Sequence, residues 1–148
     1  MTKATLYGSL TVLATEVEYR QFFNEEYCNK VIHTHDGIEV KFRPEQFNHA
    51  FFKNASRRAK DKSIFSRDRA ERITWIKQAL QDKNLTLYAG WDSKRKRYDH
   101  TRRVCLVTPD GYVVVLRIIS DTKAVFNTAY LIDDPVVESK IKGSPIWN

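Results

Sequence analysis

Two apolar rhythms divide the chain. In the first half, apolar positions recur at helical spacing. Pro44 suits the first turn of a helix over 44–60, with Phe47, Ala50 and Phe51 as its apolar stripe. His49, Lys53 and Arg57 fall on a neighbouring polar side. Ser66 reads as the N-cap of a second helix over 67–82, in which Ala70, Ile73, Ile76 and Leu80 turn toward a core and Arg69 and Arg72 flank the stripe. A weaker helical pattern covers 17–27. Between these helices, segments 31–35 and 38–42 flank Asp36-Gly37, a preferred two-residue hairpin turn. Pairing His35 with Ile38 sets His33 across from Val40, with both histidines on the face of Ile38, Val40 and Phe42.

The second half changes to strand character. Strands are expected over 85–91, 101–108, 112–120 and 125–131, with Pro109-Asp110-Gly111 as a turn. The links are short, which predicts an antiparallel meander. The strand at 112–120 is apolar on both faces, so each face needs a cover. The helices cover one; a C-terminal helix over 135–141 and the N-terminal segment are expected to cover the other. The fold class is therefore α+β: an N-terminal hairpin and two helices packed on a C-terminal four-stranded antiparallel sheet. One domain spans 1–148, with an extension containing the hairpin (1–42), a core (43–131) and a tail (132–148). In the last strand, alternation points Phe126, Thr128 and Tyr130 one way.

Composition adds a partner class. The 148 residues include 25 Lys and Arg against 18 Asp and Glu, a formal charge of +7 and a pI near 9.5. The basic residues cluster: Arg57, Arg58, Lys60 and Lys62 form one run, and Lys94, Arg95, Lys96 and Arg97 followed by Arg102 and Arg103 form another. Trp91 and Tyr98 lie beside the second run. Clustered cations with aromatics point to nucleic acid; a solvated basic surface is the plain alternative. Cys28 and Cys105 are too few for a disulfide framework or a Cys-rich zinc site and suit a reducing compartment. No apolar run approaches the roughly 20 residues that span a bilayer, and the first residues lack a signal-peptide core, so a cytoplasmic location without membrane contact is expected. His33-x-His35 lacks a spaced third ligand. There is no Gly-rich phosphate loop, serine-hydrolase motif or zinc signature, and neither metal nor cofactor is expected.

Five segments, in order, carry a resemblance. They are Phe47-Asn48-His49-Ala50-Phe51-Phe52; Arg69-Ala70-Glu71-Arg72 with Trp75; the run from Tyr88 to Tyr98 with its cations; the apolar strand around Val113; and Phe126-Asn127-Thr128-Ala129-Tyr130. Over about 42–131 the chain resembles phage- and mobile-element-borne members of the superfamily that joins barnase, EndoU, D-type colicins and RelE. The resemblance implies a small metal-independent endoribonuclease, in a toxin or effector role. It implies His49 in acid/base catalysis, Arg69 or Arg72 on the phosphate, and Thr128 and Tyr130 on a late strand. It also implies RNA as substrate, tRNA among the candidates, and an acidic immunity protein or antitoxin as partner. D-type colicins set lysines around their histidine; here the neighbours are Gln46, Phe47, Asn48 and Ala50, with Lys53 one turn on.

That chemistry has a physical basis. The RNA 2′-hydroxyl is an internal nucleophile, so orientation supplies much of the rate and the products are a 2′,3′-cyclic phosphate and a 5′-hydroxyl. Histidine titrates near neutrality and exchanges the protons. A guanidinium meets the non-bridging oxygens with paired donors, a threonine hydroxyl adds one more, and a tyrosine donates or stacks. The expected catalytic set is His49, Arg72, Thr128 and Tyr130; the expected RNA-binding set is Lys53, Arg69, Lys94, Arg95, Lys96, Arg97, Arg102 and Arg103. A nucleic-acid-binding module without catalysis stands as the alternative.

Overall fold

A computed structural model describes residues 8–53, 64–92, 95–107, 111–132 and 135–147. Helix α1 (Glu16–Phe23) starts at Thr15, whose side chain accepts from the Glu18 N–H, and widens into a π turn over Asn24–Cys28. Strands β1 (Ile32–His33) and β2 (Glu39–Lys41) follow, then α2 (Gln46–Phe51) and the small pair β3 (Phe52–Lys53) and β4 (Ile64–Phe65). Helices α3 (Arg67–Ala70) and α4 (Ile73–Gln81) lead into β5 (Leu87–Asp92), β6 (Arg97–Val107), β7 (Tyr112–Ile118) and β8 (Lys123–Leu131), and α5 (Pro135–Lys142) comes last.

The class is α+β, but the expected four-stranded antiparallel sheet is corrected. The antiparallel run β8-β7-β6-β5 is part of a six-stranded mixed sheet, β1-β2-β8-β7-β6-β5, and β3 with β4 forms a second sheet of two strands. The hairpin does not stand apart. Its strand β2 adds to β8 in parallel, with Lys41 across from Val125. Strand β2 is only three residues long, and its partner lies some eighty positions later, so no local pattern announces the pairing.

The hairpin register is also shifted from expectation. Ile32 pairs with Val40 and His33 with Glu39. The Thr34 N–H donates to the Ile38 carbonyl, and Gly37 takes φ of +89°, which only a residue without Cβ adopts readily. Ile32 and Thr34 are therefore buried while His33 and His35 are exposed. The two histidines do not share the face of Val40.

Helix α2 is shorter than its apolar pattern suggested. Phe47 and Phe51 lie on its buried stripe, but Phe52 falls off it. By turning extended, Phe52 packs against Phe65 at 5.6 Å between ring centroids and reaches Phe47 at 6.4 Å. Lys53 thus sits on β3 and not one helical turn after His49. Ser66 caps α3 as expected, accepting from the Arg69 N–H. The expected single helix over 67–82 breaks at Glu71 and Arg72. The Glu71 carbonyl accepts from the Thr11 N–H at 2.8 Å, and the Trp75 N–H turns to the Arg72 carbonyl. Arg57 lies outside the described residues, as do Arg58, Lys60, Lys62, Lys94, Pro109 and Asp110.

One face of the sheet, here called inner, carries the main core. Phe23 from α1 meets Phe42, Phe47, Phe51 and Phe126 at 5.8 to 6.1 Å. Ile73, Ile76 and Leu80 pack from α4 against Val114 and Leu116 of β7. Fully burying each such side chain contributes on the order of 1.5–3 kcal/mol. The N-terminal helix belongs to this layer, not to the opposite one as expected. The outer face is covered by α5 alone among the described helices: Ile141 packs on Val104, Leu106, Val113 and Val115.

Candidate functional site

Alternation fails at one point in β8. Tyr130 pairs with Val113 and Thr128 with Val115, but Phe126 pairs with Leu116. Asn127 is the extra residue of a bulge. Phe126 therefore enters the inner core, while Thr128 and Tyr130 lie on the outer face with Val113 and Val115. The three side chains do not point one way.

The expected catalytic groups are distributed around this sheet. His49 is exposed on α2, which lies along β8. Gln46 of the same helix donates to the Phe126 carbonyl at 3.1 Å, and the Thr128 hydroxyl donates to the His49 carbonyl at 3.2 Å. His49 and Thr128 thus meet, but through the His49 backbone. Asn48 beside them accepts from Arg20. Tyr130 is half-buried against the outer cluster. Arg72 lies in the inner layer: it donates to the Asp68 carbonyl at 2.6 Å and stands 5.1 Å from the Trp75 ring centroid. Trp75 is buried against Tyr112, as packing. Arg69 donates to the Phe52 carbonyl at 3.1 Å. Arg72 thus belongs to the helical layer, whereas Thr128 and Tyr130 share the outer-face register of β8 with Val115 and Val113.

The basic set also divides. Arg95, Lys96 and Arg97 are exposed at the β5–β6 turn, where Lys96 takes φ of +54°. Arg103 is not a surface cation. It is 1% exposed on the inner face and donates two hydrogen bonds to Asp36, at 3.0 and 3.1 Å. Partial burial opposes ionisation of Asp36, but the Thr34 hydroxyl and Arg103 outweigh it and hold its carboxyl below the usual range. Arg103 is thus a structural residue of the hairpin–sheet junction, and its place in the RNA-binding set is withdrawn. Neither thiol is poised as a nucleophile: burial, with Glu45 adding to it, pushes Cys28 up to about 11, and burial pushes Cys105 up to about 12.

Sequence reasoning missed a row that the register assembles. Cross-strand partners share a face. Lys41 pairs with Val125, Val125 with Arg117, and Arg117 with Arg102. These four positions cross β2, β8, β7 and β6 on the outer face. In the adjoining row Lys123 pairs with Glu39. Lys41, Arg117 and Lys123 are exposed and Arg102 is half-buried. Four cations therefore share this sheet surface with Glu39, and Asp99, whose carboxyl is lowered chiefly by its hydrogen bonds from Thr101, also feels Arg102. Arg102 and Arg117 are directly opposed, an arrangement that is destabilising unless an anion or water screens it. Among the described residues the Arg102 Nε is buried without a hydrogen-bond partner. The isolated Arg117 in an otherwise apolar strand is the one local sign of this row, and the residue is exposed.

The chain matches no family model, no curated protein and no solved structure. The resemblance to the ribonuclease superfamily rests on the sequence segments alone. No helix among the described residues is long and apolar enough to cross a membrane.

Proposed function

We propose that the protein binds nucleic acid, with RNA as the expected partner, through the open half of its outer sheet face. The carrying observation is the transverse row Lys41, Arg117 and Arg102, with Lys123 beside it. Folding keeps Arg102 and Arg117 directly opposed there as cross-strand partners. A phosphate backbone relieves that repulsion and releases counterions on binding. The basic turn at Arg95, Lys96 and Arg97 extends the positive field.

The test is affinity against salt concentration, read by fluorescence anisotropy with a single-stranded RNA. Four phosphate contacts give a slope of log K on log salt near about −3. Binding that is absent, or independent of salt, overturns the proposal.

A second reading, metal-independent RNA cleavage, draws on one observation: His49 is exposed beside Thr128 at the edge of β8. Incubation with total RNA in EDTA, beside His49→Ala, tests it. Fragments with cyclic phosphate ends made by the wild type alone support cleavage. Intact RNA, or equal cleavage by both proteins, sinks the role of His49. An acidic inhibitor protein, the further partner this reading implies, would compete with RNA for the basic surface.

A further inference from the structure

The basic row ends at an unusual place in the sheet. Between the pairs Ala89–Arg103 and Trp91–Tyr98, strand β5 has only Gly90 while β6 has residues 99–102. This bulge brings Arg102 against Gly90 so closely that a Cβ there would stand 2.2 Å from the Arg102 Cβ. Just before Gly90, the segment 145–147 runs along β5: the Ala89 N–H donates to the Pro145 carbonyl at 2.7 Å and the Trp147 N–H to the Leu87 carbonyl at 2.8 Å. A cavity of about 300 Å³ opens here, lined by Ala89, His100, Pro145, Ile146 and Trp147. It is flanked by one indole and one imidazole. Arg103 stands 5.9 Å from the Trp147 ring centroid and, with its ion pair to Asp36, braces that indole from the interior.

We infer that this cavity is a nucleobase slot. The occupant is an unpaired base of a single-stranded RNA whose backbone lies on the basic row, so the inference rests on the binding surface proposed above. Three features carry it. Gly90, which follows Ala89 of the lining, packs on Arg102, the terminal cation of the row, so cavity and row lie at the same end of β5, with Ala89 and Trp147 on the Arg103 side of the sheet. The cavity lining is mostly apolar, with flat rings, which suits a π face better than a phosphate. It lies at the sheet edge, which a base paired within a duplex cannot reach without leaving its stack.

Two probes separate the slot from the row: a short oligouridylate RNA and an abasic ribose-phosphate strand of the same length. Both carry the phosphates, and only the first carries bases. The wild type is expected to bind oligouridylate about tenfold tighter, the loss that removing one stacked base produces. Trp147→Ala and His100→Ala should each shrink that ratio toward one while leaving the salt slope unchanged. His100 is exposed, so its variant keeps the test valid if Trp147→Ala disturbs the fold. Equal wild-type affinity for both strands, or an undiminished ratio in both variants, overturns the slot while the backbone-binding surface stands. No binding of either strand overturns both.

Discussion

Arg103 and Asp36 join the hairpin turn to the middle of β6. The guanidinium is 1% exposed and the carboxylate 39% exposed, so the pair spans from the interior to the rim. Removing the carboxylate strands a buried cation. Asp36→Asn should lower unfolding stability by about 2–3 kcal/mol, below the range for a fully buried pair because Asp36 is partly solvated. The pH dependence has a definite sign. The folded carboxyl titrates below its unfolded value, so the contribution is complete above the unfolded value, near about 4, and is lost as pH falls through the folded one. Urea midpoints measured from neutral to acid pH should therefore converge for wild type and variant at the acid end. A gap that persists unchanged there would refute the linkage.

Gly90 and Arg102 make a second prediction. A methyl at Gly90 would meet the Arg102 Cβ at 2.2 Å and the Arg102 carbonyl oxygen at 2.9 Å. Backbone cannot yield as a flexible side chain can. Gly90→Ala should cost about 1–3 kcal/mol and weaken RNA binding by displacing the cation that ends the row. Thermal denaturation and anisotropy on the same variant check both; wild-type behaviour in either would contradict the close approach.

Local chemistry made much of the fold legible. The Ser66 cap, the stripe from Ala70 to Leu80 and the antiparallel order of β5 to β8 follow from spacing and short links. What stayed hidden depends on partners far along the chain. The parallel β2–β8 pairing, the loss of the Glu71 carbonyl to Thr11 and the β8 bulge at Asn127 leave no periodic mark. The site suffered most from that bulge. Strict alternation grouped Phe126 with Thr128 and Tyr130, and one inserted residue sent them to opposite faces. The basic row was invisible for a similar reason: Lys41, Arg117 and Arg102 become neighbours only through register.

Two buried tyrosines should respond oppositely to loss of their hydroxyls. Tyr27 donates to the Ile73 carbonyl at 2.6 Å and accepts from the Lys77 N–H at 3.1 Å, groups that bond to each other in an uninterrupted helix. Tyr27→Phe leaves those groups facing an apolar ring and should cost about 1–3 kcal/mol. The Tyr112 hydroxyl is fully buried without a hydrogen-bond partner among the described residues. Tyr112→Phe should be neutral, or stabilising by up to about 1 kcal/mol. Denaturant midpoints for the two variants decide it, and equal losses would contradict the assignment.

Position, rather than total charge, should govern RNA affinity. Arg117 lies in the row on the outer face, whereas Lys77 is exposed on α4 in the layer beyond the inner face. Arg117→Ala and Lys77→Ala each remove one positive charge and change the net charge equally. If the row contacts phosphate, Arg117→Ala should reduce the magnitude of the salt slope by about 0.7 and weaken binding at low salt. It should also relieve the opposition with Arg102, so the free protein should be no less stable than wild type. Lys77→Ala should leave the slope unchanged. Equal effects from the two variants would mean that RNA responds to the overall charge of the molecule. The arginine pair would then be a feature of folding with no part in recognition.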